Sequence, residues 1–172
     1  MRNRIIRTAE SVTEGHPDKL CDIIADSILD ACLRRDLNAR VACEVMATAG
    51  KVIVAGEITA CEMPDIPYIV CSTIKHIGYD VLDYEVEIIH DQSEDIAKAV
   101  GRRGNGDIAL GAGDQGIVYG YATNETKHML PLPVVLAHRI TRLLTAARRL
   151  GTVPGLLPDG KAQVSVEYAY GV

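Results

Sequence analysis

Phenylalanine and tryptophan are absent from this 172-residue chain, and seven tyrosines are its whole complement of large aromatic residues. Stacking against a flat heterocycle must therefore use a Tyr, a His or a side chain from another chain. No apolar run approaches the ~20 residues that cross a bilayer, and the opening MRNRIIRTAE has basic residues but no apolar core of signal length. A soluble, untargeted, cytoplasmic protein without a membrane partner is expected. The five cysteines, Cys21, Cys32, Cys43, Cys61 and Cys71, stand singly inside apolar segments, with no CxxC pair and an odd total. That excludes the signature of a disulfide framework or a zinc site and reads as thiols in a reducing compartment. There is no low-complexity tract, and the formal charge of −5 speaks against general nucleic-acid binding. What remains is a globular composition, 48% apolar with charges of both signs interspersed, and enough length for one ordinary domain or one and a half small ones.

Hydrophobic periodicity organises the chain. Leu20, Ile24, Ile28 and Cys32 recur every four residues after Pro17 and predict an amphipathic helix from Pro17 to about Arg35. Residues 39–48 and 52–59 are β-rich and flank Ala49-Gly50-Lys51, which predicts a hairpin. Pro64 and Pro67 open a second helix through Ile69, Ile74 and Ile77, closed by Gly78. Residues 84–90 alternate as a strand. About twenty polar and glycine-rich residues follow, Asp91 to Gly113, long enough to form a functional loop or lid. Residues 117–122 read as a strand, 131–150 as a long helix and 162–168 as a closing strand. The order α-β-β-α-β, loop, β-α-β with antiparallel pairing predicts an α+β fold, its last piece too small to bury both of its faces.

Several residues stand where chemistry is possible. His16 lies in Glu14-Gly15-His16-Pro17-Asp18-Lys19, at a helix start whose amides and dipole favour an anion. A phosphate there would meet His16, with Asp18 holding a bridging metal; the alternative is an ordinary capping turn. Asp22, Asp26 and Asp30 form a solvated stripe opposite the apolar one. Glu44 and Glu57 each interrupt an apolar strand, and a two-residue turn at Ala49-Gly50 sets both on one face of the hairpin. Two carboxylates on one face call for a cation or ammonium group, unless that face is simply wet. Gly111-Ala112-Gly113-Asp114-Gln115-Gly116 is neither a Walker loop nor a dinucleotide fingerprint. Pro158-Asp159-Gly160-Lys161 reads first as a β-turn, with Lys161 able to reach a phosphate.

Those segments, with Ala42-Cys43-Glu44, Gly56-Glu57-Ile58-Thr59 and Gly120-Tyr121-Ala122-Thr123-Asn124-Glu125, stand in an order that resembles the N-terminal part of an S-adenosylmethionine synthetase, from about Glu10 to Tyr168. The resemblance implies sheet-and-helix layers amounting to about one and a half of that family's three repeated domains. An N-terminal-type domain would span 1–101, and a mobile-loop region with an incomplete central-type domain 102–172. It implies a methionine adenosyltransferase: the methionine sulfur attacks the ribose C5′ of ATP, and the expelled triphosphate is hydrolysed to phosphate and diphosphate. Carried over residue by residue, His16 and Lys161 are the catalytic candidates, and His16, Asp159, Gly160 and Lys161 contact ATP. Glu57, Gln92 and Asp114 hold methionine, Asp18 binds magnesium and Glu44 binds potassium. The absence of a nucleophile-and-base triad then makes sense, because sulfur supplies the nucleophile and catalysis rests on alignment and charge stabilisation.

The resemblance also has departures. Family members continue through an arginine-lysine segment, a second glycine-rich signature and a third domain, none of which occurs in these residues. Residues 95–110 are shorter than the family's mobile loop, although Arg102 and Arg103 could still face phosphates. Three readings follow: a synthetase component completed by another copy or another chain in a homo- or hetero-oligomer, a non-catalytic nucleotide- or subunit-binding regulatory partner, and an inactive fragment.

Overall fold

The structure, a computed structural model, describes residues 3–80, 85–90 and 117–170. Its elements in chain order are β1 (Asn3–Val12), α1 (Pro17–Leu33), β2 (Arg40–Thr48), β3 (Lys51–Thr59), α2 (Ile66–Ile77), β4 (Glu85–His90), α3 (Leu132–Arg149) and β5 (Lys161–Tyr170). The fold is α+β. Two compact units divide it: residues 1–20, 74–79 and 120–172 form one, and residues 21–73 and 80–119 the other.

The second unit is built on a three-stranded sheet in the order β2-β3-β4. β2 and β3 form the expected hairpin, with Gly50 at φ 73° supplying the left-handed residue of the two-residue turn. One face carries buried Val52 and Val54, and it packs a core with Ile24, Ile28 and Cys32 of α1 and Ile66 and Val70 of α2. The four-residue spacing on α1 is therefore its buried stripe, and Asp22, Asp26 and Asp30 are exposed as expected. β4 joins β3 in parallel, across α2 as the crossover, rather than in the antiparallel pairing expected throughout. A strand–helix–strand connection of this length returns the second strand in the direction of the first. α2 ends where Gly78, at φ 109°, sends its amide to the carbonyls of Ile74 and Lys75, and Tyr79 closes on Ile74.

The first unit pairs β1 with β5 antiparallel along their full length, Asn3 opposite Tyr170 and Val12 opposite Lys161, and α3 lies on this ribbon. β1 was absent from the expected order because residues 3–12 show no apolar alternation. Its inward face is Ala9 and Ser11, its outward face carries Arg4 and Glu10, and Ile6 is 68% exposed. The small C-terminal piece thus completes its sheet with the N-terminal strand. The strand expected at 117–122 is not formed: residues 117–123 have no regular structure, and Val118 is 94% exposed. No strand among the described residues pairs with this apolar run. No helix among the described residues is long and apolar enough to cross a membrane.

Candidate functional site

The His16 turn is fastened from three directions within the first unit. Thr13, which is buried, donates its hydroxyl to the Pro158 carbonyl at 2.7 Å and its amide to the Gly160 carbonyl at 2.8 Å. The Gly15 amide donates to Pro158 as well, and Tyr79 donates its hydroxyl to the Gly15 carbonyl at 2.7 Å. A side chain on Gly15 would run into Pro158, so this close approach requires glycine. The Pro158–Lys161 segment is accordingly a bend held from outside by Thr13, rather than a self-closed β-turn. These bonds bring the start of α1 alongside Asp159, Gly160 and Lys161. Asp159 is exposed, and Gly160 packs on the Thr13 side chain.

At the helix start, Pro17 has no amide proton, the Asp18 amide donates to His16 Nδ1 at 3.2 Å, and the Leu20 amide donates to the His16 carbonyl. The ring itself therefore answers one of the amides that the sequence offered to an anion. With Nδ1 accepting, the neutral imidazole carries its proton on Nε2 and can donate from there. The Asp18 carboxylate lies 3.7 Å from Nδ1 and is 84% exposed, against 24% for His16. Lys161 is ion-paired with Glu10, and its pKa is raised first by that hydrogen bond, then by the Glu10 charge, with Asp18 adding to it. Lys161 thus lies within electrostatic reach of Asp18.

Glu14, for which the sequence pattern suggests no role, is a structural anchor of the turn. Its carboxylate receives Arg148 Nη2 on Oε1, and Arg149 Nε on Oε1 at 2.9 Å and Nη2 on Oε2 at 2.6 Å. Burial opposes its charged form, but the hydrogen bonds and charges of Arg149 and Arg148 outweigh that and hold the carboxyl below its usual value. Nothing in the local sequence pairs Glu14 with residues 134 and 135 positions away. The only signal is the basic last turn of the long helix. Glu125, in the Gly120–Glu125 motif, has a structural task. It accepts from the Tyr168 hydroxyl at 2.6 Å and from the Leu132 amide at the start of α3, which hold its carboxyl low.

In the second unit the hairpin register pairs Glu44 with Ala55 and Ala42 with Glu57. Both carboxylates fall on one face, as expected, and it is the face away from Val52 and Val54. Glu44 is exposed and Glu57 half-buried. Gly56, between them in register, adopts φ 137°, and a side chain there would strike the Ala42 carbonyl. Among the described residues no group of three or more His, Cys, Asp or Glu is arranged to hold a metal ion. Gln92, Arg102, Arg103 and Asp114, with the whole of the expected loop, lie outside the described residues.

The first helix of this α+β chain thus starts on an imidazole and a carboxylate and is tied to a Pro-Asp-Gly-Lys bend. Family comparison carries this further: residues 4–102 match the S-adenosylmethionine synthetase N-terminal domain and residues 109–171 the central domain of the same enzyme. The chain belongs to the S-adenosylmethionine synthetase family.

Proposed function

We propose that the chain is a component of a cytoplasmic methionine adenosyltransferase that converts ATP, methionine and water to S-adenosylmethionine, diphosphate and phosphate. Its two domains, 1–101 and 102–172, are completed in this reading by a second chain. The observation that supports it most is the tie between the His16 turn and the Pro158–Lys161 bend, in a chain of this family. His16 donates from Nε2 toward the oxygen that leaves C5′, while Asp159, Gly160 and Lys161 line the nucleotide. Glu57 meets the methionine ammonium, and Gln92 and Asp114 complete that pocket. Asp18 suits magnesium, which takes one or two carboxylates together with phosphate oxygens and water, and its exposed carboxylate leaves room for that shell. Bound there, the ion would offset charge on the triphosphate. Glu44 offers a hard carboxylate toward potassium.

Charge supports the reading that a second chain takes part. Lys161 already answers Glu10, and Arg148 and Arg149 already answer Glu14, so these cations do not face a triphosphate unopposed. The departing polyanion needs further positive groups. In a complete complex, His16→Asn should lower turnover on the order of tenfold or more with little effect on methionine affinity, because a contact that strengthens as triphosphate leaves acts on the transition state. Glu57→Gln should instead weaken methionine binding. Turnover of His16→Asn within about twofold of the parent, or a defect confined to methionine binding, would remove His16 from this role.

A further inference from the structure

We infer that Glu14 is a positioning residue: through Arg148 and Arg149 it locks the turn that carries His16, and so fixes where the imidazole points. This rests on the proposed role of His16 in nucleotide binding. Arg148 also donates from Nη2 to the Ile77 carbonyl at 2.7 Å, so the ends of α2 and α3 stay joined without Glu14. Glu14 is the arm of this cluster that reaches the His16 turn. A carboxylate is required, because three N–H donors from two guanidinium groups converge on its two oxygens and an amide has only one acceptor oxygen. Gly78 makes the passage: a side chain there would meet Arg148 Nη1 at 2.7 Å. Two residues after Glu14, the His16 amide is held by the Thr13 carbonyl and the ring by the Asp18 amide. Rotation of the turn would strain the Asp18–Nδ1 bond and re-aim Nε2.

The test is residue-resolved amide hydrogen exchange on the full chain, with the His16 Nδ1 nitrogen shift recorded alongside, for the parent, Glu14→Gln and Arg149→Gln. The expected result is that Asp18 exchange rises about tenfold or more and Nδ1 loses its acceptor shift, while β1 and β5 amides such as Val164 keep their parental rates. Mg-ATP affinity should fall about tenfold in parallel, as for loss of a preorganised charge-assisted contact. Should Glu14→Gln fail to fold, Arg149→Gln decides, since it removes two of the three bonds on Glu14 while Arg148 still holds the Ile77 carbonyl. Asp18 exchange within about twofold of the parent in a folded variant, or equal acceleration of every amide, overturns the inference. If the parent chain binds no Mg-ATP even with a chain bearing the remaining synthetase motifs, the nucleotide reading fails separately, and the Asp18 and His16 signals still decide the role of Glu14.

Discussion

Thr13 and Pro158 are joined by a buried 2.7 Å hydrogen bond that spans 145 positions of sequence. It is the shortest route by which the opening of α1 and the bend before β5 become one locus. Thr13→Val keeps the shape and removes the donor, leaving the Pro158 carbonyl without its hydroxyl partner. A stability loss of about 1–3 kcal/mol is expected in denaturant unfolding, together with weaker Mg-ATP binding. Unchanged midpoint and affinity would show that the backbone bonds from Thr13 to Gly160 and from Gly15 to Pro158 suffice.

The Glu14 carboxyl is held below its ordinary value of 4.5, so its contribution is present in full above that pH and fades as pH falls through the lower folded value. The stability gap between the parent and Glu14→Gln should therefore be widest at neutral pH, about 1–3 kcal/mol, and should close in acid. Thermal melts across that range give the check. A gap that stays constant with pH would mean the ion pairs contribute nothing beyond shape.

Gly56 sits in the central strand at φ 137°, against the Ala42 carbonyl. Gly56→Ala combines a strained conformation with a steric collision, and a loss of about 1–3 kcal/mol or more is expected from chemical denaturation. Because Gly56 neighbours Glu57, methionine binding by the assembled complex should weaken as well.

Thiol reactivity should follow burial. Cys61 is exposed, while Cys32 is fully buried with its pKa raised by desolvation; Cys43 is raised by burial and by the nearby Glu44 and Cys32. A thiol-reactive chromophore at mildly alkaline pH should label Cys61 first and leave Cys32 until the chain unfolds. Early modification of Cys32 would mean the core around α1 opens locally.

Periodicity made α1, the hairpin and α2 legible, because each buries an apolar stripe or strand face, whereas α3 buries only Pro133, Ala137 and Thr141. The Glu44 and Glu57 face was legible for a related reason: a two-residue turn leaves one register. β1 was not, since its inward face relies on Ala9 and Ser11 and its partner lies at the other end of the chain. Residues 117–122 misled in the opposite sense, being apolar and β-rich without a strand to pair with among the described residues. At the site, motif order pointed to His16, Asp18 and Lys161. The residues that hold or answer them, Thr13, Glu14, Glu10 and Arg149, act through contacts made in three dimensions that no local spacing encodes.

Sulfonium formation can be measured with the purified chain incubated with ATP, methionine, magnesium and potassium, with and without a chain bearing the remaining synthetase motifs. Little or no S-adenosylmethionine is expected from the chain alone and sustained formation from the pair, because the cations at the His16 turn are already matched by Glu10 and Glu14. Equal turnover by the chain alone, or none from the pair, would contradict it.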